Sequence, residues 1–314
     1  MAIALRPLTT GELLDRTFML YRNNFMLFAG IATVAAATIL VAMIVMLVLG
    51  ITLPAAGRQP DPAALMRFLG LNLGITALFS IFGVSLATGA TIYAVSKVHL
   101  GQLTTIGESY TRIFPRLGRI ILIVFNIILR LLLLTLVLFV CLFVVVFIAG
   151  IFLGALGGRT AGMFGFVIGL LGGLAVYALL IRLYLQYSLS IQACLLENTG
   201  VNDSVKRSSF LAKGSLWRIF LIYLLMGIIA FALNFALNFL GNLLFGQGGL
   251  AAVVWQFAAT FVAYTISFPI STIAISLVYY DQRVRKEAFD LQLMMEAVGQ
   301  QSQVQAAAAV PPIA

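Results

Sequence analysis

The sequence predicts an all-α polytopic membrane protein: six transmembrane helices, built as three parallel repeats of an interfacial helix plus a transmembrane hairpin. Three observations carry this. The first is composition. Of 314 residues, 62% are hydrophobic and 9% charged, and the mean hydropathy is +1.10. Soluble domains carry roughly 25% charged residues, so the bilayer must serve as solvent. The second is a set of six apolar runs, each meeting the ~20 residues that a crossing requires. The third is a recurrence, about every 95 residues, of an acid and an arginine four apart, just ahead of a long apolar run. The pairs are Glu12/Arg16, Glu108/Arg112 and Asp203/Arg207.

The elements follow in order. Spans are predicted over 25–53, 68–96, 120–153, 162–192, 217–245 and 251–280. The first interfacial helix has Leu14, Phe18, Tyr21 and Phe25 as one apolar stripe, with Thr9 or Thr10 as its cap. In the second, Ile106, Tyr110, Ile113 and Leu117 repeat that spacing, and Pro115 should end or kink the helix. The third starts near Val201 and has the weakest stripe. These helices would lie along the inner leaflet and feed each hairpin. Each acid/arginine pair reads by itself as an exposed helical ion pair. The whole forms a single membrane domain over 1–298, with repeat units of about 8–104, 105–199 and 200–298 and a disordered, low-complexity tail over 299–314. A closed pseudo-threefold bundle and a linear array both fit this pattern.

Orientation follows from lysine and arginine. Only Arg58, Arg67 and Arg159 fall on one side, while fourteen lysines and arginines in the loops, termini and span ends fall on the other. The positive-inside rule places both termini and both longer loops in the cytoplasm. The net charge of +9 then points to anionic headgroups rather than nucleic acid. No cleavable signal peptide is predicted. Cys141 and Cys194 sit in apolar or membrane-edge segments, which argues against a structural disulfide.

Polar residues inside the spans are the candidate site. Arg130 and Arg182 reach similar depths in the middle hairpin, and no acid lies within any span. Two intramembrane arginines without carboxylates suit an anion, with Asn126 and Tyr184 supplying hydrogen bonds, or they snorkel to headgroups. Asn234, Asn238 and Asn242 form a stripe, either for interhelical bonding or along a polar pathway. Gly150, Gly154, Gly158 and Gly162, then Gly165, Gly169 and Gly173, mark close packing within the middle hairpin or a dimer interface. Pro269 is expected to kink the sixth span. Enzyme signatures are missing: there is one histidine, His99, and no HExxH, Walker loop or GxSxG. The reading is of a non-enzyme that needs no cofactor or metal.

The sixth helix is expected to continue past the membrane, since Asp281/Arg285, Arg283/Glu287 and Lys286/Asp290 are all i, i+4 pairs. This charged face either docks on the protein's own surface or meets a protein partner.

The segments RPLTTGELLDRTFMLYRNNF, RSSFLAKGSLWRIF and YYDQRVRKEAFDL resemble the membrane-domain family of bacterial glycerophosphoryl diester phosphodiesterases and its stand-alone six-helix relatives, over residues 6–297. The resemblance implies a bacterial inner-membrane protein. It carries over no catalytic residue, because in fused members a separate soluble domain holds the chemistry. Two functions are expected: a scaffold or partner-recruiting module linked to membrane lipids, or a transporter or lipid translocator with an anion site at Arg130/Arg182.

Overall fold

In the computed structural model, residues 8–49, 62–99, 101–154, 158–246 and 249–287 are described. The chain is an all-α, multi-pass membrane protein, with six helices among the described residues long and apolar enough to cross a bilayer. The helices are α1 (Thr10–Asn23), α2 (Phe25–Val48), α3 (Pro62–His99), α4 (Ile106–Ile113), α5 (Leu117–Gly154), α6 (Gly158–Tyr187), α7 (Ser190–Glu197), α8 (Val201–Ala212), α9 (Leu216–Phe245) and α10 (Gly249–Glu287). A short polar helix precedes two long apolar ones three times over, as the repeat predicts.

The recurring acids have a local cause. Each sits three residues into its helix, where it meets unbonded backbone N–H groups. Thr9 and Glu12 form a capping box: the Thr9 N–H donates to Glu12 Oε2 at 2.8 Å and the Glu12 N–H to Thr9 Oγ1 at 3.3 Å. The Glu108 N–H donates to Thr105 Oγ1 at 3.2 Å. Asp203 holds the same place after Gly200. Pro115 acts as expected: α4 ends at Ile113 and a 3-10 turn over Phe114–Arg116 leads into α5.

Three expectations change. The span expected over 162–192 stops at Tyr187; after a break, α7 runs to Glu197 as a separate short helix. In α1 the buried face is Leu13, Thr17 and Tyr21, while Phe18 and Phe25 are exposed. The apolar side of this helix is wide enough to meet both protein and lipid, and α10 takes the part next to the expected stripe. Among the described glycines, the closest approaches fall mostly outside the middle hairpin. A Cβ at Gly83 would come within 1.9 Å of Thr38 Oγ1, and one at Gly241 within 2.0 Å of the Trp255 ring. In the middle hairpin the tight glycine is Gly172, against Leu142, whereas Gly150, Gly165 and Gly173 face open space. Residues 50–53, Arg58, Asp61, Asp290 and the tail lie outside the described residues, as do the surroundings of Gly154, Gly158 and Gly162.

The long helices close into a ring: α2 packs on α3, α3 on α5, α5 on α6, α6 on α9, α9 on α10, and α10 back on α2. This selects the closed bundle over the linear array. The ring is unequal. Of α10's most hydropathic window 56% is buried, against 0% for α5 and α6. Small residues permit this. Ala32 and Ala35 of α2, Ala87 and Ala90 of α3, and Ala274 of α10 are all at 0% exposure, so backbones approach closely in a medium that offers no hydrophobic drive between helices.

Each short polar helix also bonds a carbonyl of a neighbouring unit in the ring. Tyr21 donates to the Ile266 carbonyl at 3.1 Å, one turn before Pro269 within α10; burial pushes its hydroxyl up to about 12, which keeps it a donor. Tyr110 donates to the Ile31 carbonyl. Ser208 donates to the Gln186 carbonyl at 2.7 Å. α8 hides Ser204 and Ser208 on its buried face, and Ser204 satisfies its hydroxyl on Gly200 O at 2.6 Å. That explains a weak apolar stripe on a well-buried helix.

Candidate functional site

The charged side chains gather at one end of the bundle, and two networks lock it. Asp281 sits on α10 with its side chain at 0% exposure. It accepts from the Leu8 N–H at 2.7 Å, from Arg285 at 2.8 Å and from Arg218 of α9. Arg218 and Arg285 also donate to the Leu8 carbonyl. One buried carboxylate thereby clamps the segment before α1 to α9 and α10. A buried charge is tolerable only with such pairing.

The second network joins α7, α8 and α10. Arg207 binds Glu197 through Nε at 2.8 Å and Nη2 at 3.0 Å, and pairs with Glu287 through Nη1. Arg283 donates to Glu287 at 3.3 Å, and the Tyr279 hydroxyl donates to Glu197. Desolvation opposes the charge on Arg207, but its bonds with Glu287 and Glu197 outweigh that and raise its pKa. The expectation of an Asp203/Arg207 ion pair gives way here, since Arg207 serves more distant carboxylates in a planar, multidentate geometry.

The C-terminal surface is largely used within the chain. Asp281, Arg283, Arg285 and Glu287 belong to these networks, and Lys286 donates to the Phe210 and Lys213 carbonyls, both at 2.6 Å. His99 stacks on Tyr280 with ring centroids 5.2 Å apart.

A pocket of about 360 Å³ opens at the same end, between α3, the α4 turn and α7. Lys97, Arg112 and Arg116 line it together with Tyr93 and Ser96, over an apolar floor of Ile92, Ile113 and Leu195. The neighbouring acid, Glu108, accepts from Tyr93 at 2.9 Å and from Thr104 at 3.2 Å. Arg116 donates to the Leu195 carbonyl at 3.2 Å and Lys97 to Gln102 at 2.9 Å. Both leave donors free, because a guanidinium carries five and an ammonium three. Three cations around one small pocket can hold a phosphate or a carboxylate.

The intramembrane candidates are placed differently. Arg130 is exposed and donates to Asn202 Oδ1 of α8 at 3.2 Å. Arg182 is exposed on α6. Asn126 is half-buried, with its Oδ1 unbonded. Tyr184 packs edge-on against Tyr223 at 5.6 Å. The asparagine stripe closes partly on itself, as Asn238 donates to Asn234 Oδ1 at 2.8 Å along α9. Cys141 and Cys194 are free.

The sequence marks Lys97 and Arg116 only as part of the charge bias, and Arg112 also as half of the recurring Glu108/Arg112 pair. Their clustering was partly visible, since Arg112 and Arg116 share an i, i+4 face; the approach of Lys97 and Leu195 was not. Glu197, Arg218 and Gln192 carried no local signal at all. No family model, no curated protein and no solved structure matches the chain.

Proposed function

We propose that this chain is a non-enzymatic integral membrane module of the bacterial inner membrane, both termini cytoplasmic, which binds anionic headgroups and holds a rigid cytoplasmic face for a protein partner. The observation that carries the reading is the pocket lined by Lys97, Arg112 and Arg116. The positive-inside bias supports a location at the inner leaflet, where anionic lipids concentrate basic segments. The resemblance to phosphodiesterase membrane domains supports the same compartment and a link to lipids. A non-enzymatic role is supported by the commitment of Asp281, Glu197 and Glu287 to arginines and of His99 to a ring stack, which leaves these groups poorly placed for proton transfer. The exposure of Arg130 and Arg182 and the Arg130–Asn202 bond favour the module over a translocator with its anion site there.

Two measurements test this. Native mass spectrometry should find phosphatidylglycerol retained by the wild-type chain and reduced several-fold in a Lys97→Gln/Arg112→Gln/Arg116→Gln variant; equal retention would reject the pocket. In vesicles carrying fluorescent phosphatidylglycerol, the wild-type chain should leave the dithionite-resistant fraction unchanged. A protein-dependent loss of that fraction would replace the module reading with translocation.

A further inference from the structure

About one turn deeper along α3 and α7 than the cationic pocket lies a second cavity, of about 360 Å³, walled also by α5, α6, α9 and α10. Its volume lies within the range of small-molecule sites. None of its lining side chains is charged, so a phosphate or ammonium placed there would be buried without compensation. Gln192 of α7 is the polar feature that stands out. It is 3% exposed, lines the cavity, and its Oε1 has no hydrogen-bond partner. Buried acceptors are rarely left so. Ser188 and Thr272 of the wall do not serve it: Ser188 donates to the Leu185 carbonyl at 2.8 Å and Thr272 to the Phe268 carbonyl at 3.2 Å. Their oxygens thus add acceptors, and Gln192 Oε1 is left without a donor.

The cavity has an apolar continuation. Leu131 and Tyr184 also line a groove of about 260 Å³ between α5 and α6, with Thr135, Leu180 and Ile181. At the junction Ile128 is 44% and Tyr184 47% exposed, so the passage opens toward the lipid. An uncharged, largely apolar chamber with one buried acceptor left unbonded, joined to an apolar track, fits an amphiphile.

We propose that this cavity binds one uncharged, hydroxyl-bearing single-chain amphiphile of the monoacylglycerol class, whose hydroxyl donates to Gln192 Oε1 and whose chain runs along the α5–α6 groove. The site is separate from the cationic pocket and does not rest on the module reading.

The test is photo-crosslinking of the full chain in phosphatidylcholine nanodiscs, using a monoacylglycerol with a diazirine near its headgroup and mapping the labelled peptides. Adducts are expected on cavity-lining segments of α5, α6 and α7. Excess unlabelled monoacylglycerol should suppress them and lysophosphatidic acid should not. Gln192→Leu should weaken labelling two- to tenfold, the worth of one neutral hydrogen bond. Ile128→Trp, which narrows an exposed entrance, gives a second variant should Gln192→Leu fail to fold, and should lower labelling likewise. Adducts confined to outward, lipid-facing residues and insensitive to competition would overturn the proposal. So would equal suppression by lysophosphatidic acid, or wild-type labelling in Gln192→Leu, the result expected of a cavity holding only water.

Discussion

Asp281 is the side chain on which the charged end most depends. Its carboxylate has no exposed surface and accepts from Leu8, Arg218 and Arg285. Asp281→Ala would leave two guanidinium groups without their carboxylate and the Leu8 N–H without its acceptor. Breaking a buried pair from one side typically costs about 3–5 kcal/mol. Lys286→Ala removes bonds at an exposed rim, where the loss should stay within about 1 kcal/mol. Thermal unfolding of both variants in one detergent should show a much larger drop for Asp281→Ala; equal drops would remove Asp281 from its central place. The two partners were legible to different degrees. Arg285 lies four residues from Asp281 along one helix and could be read directly. Arg218 and Leu8 are distant in sequence, and only packing of α1 and α9 on α10 brings them to the carboxylate.

At the scale of elements, glycine position decides more than glycine count. Gly83 faces the β-branched Thr38, with Thr38 Cβ 2.7 Å from the place a Cβ would take. Gly83→Ala should therefore destabilise the first hairpin by about 1–3 kcal/mol through overpacking. Gly165→Ala has open space and should be neutral or gain up to about 1 kcal/mol from helix propensity. Tyr21→Phe removes the donor to Ile266 and should cost about 1 kcal/mol. Unfolding of the three variants in mixed micelles should give this ranking. A destabilising Gly165→Ala with a silent Gly83→Ala would refute the packing described. A run of glycines every fourth residue shows only that a close approach is permitted; the facing side chain, which sequence does not supply, decides where it occurs.

At the scale of the whole molecule, α10 is the hub. It packs against α1, α2, α3, α7, α8 and α9, while the α5–α6 hairpin stands at the edge with no buried residue in its most apolar windows. Hydrogen exchange in nanodiscs should find the slowest amides in the charged-end half of α10 and faster exchange in α6, since local stability follows buried contact. The reverse order would contradict the hub. Topology belongs to this scale too. In a background lacking Cys141 and Cys194, Asp61→Cys should react with an impermeant thiol reagent on intact cells and Asp203→Cys should not. The opposite pattern would invert the proposed orientation.

The sequence by itself determined the all-α membrane class, the six apolar helices, their order and the recurring acids. Each of these rests on local energetics: a run long enough to cross, or an acid at a helix start. Tertiary structure alone decided that the ring closes, that α10 is its most buried member, that Arg207 binds Glu197 and Glu287, and that Lys97, Arg112 and Arg116 share a pocket. The reason is the solvent. In a bilayer, residues facing lipid and residues facing protein are equally apolar, so hydrophobic pattern marks a helix without marking its inner side. Which side turns inward is set by the fit of small residues and by long-range polar pairs, and neither is written at any fixed spacing along the chain.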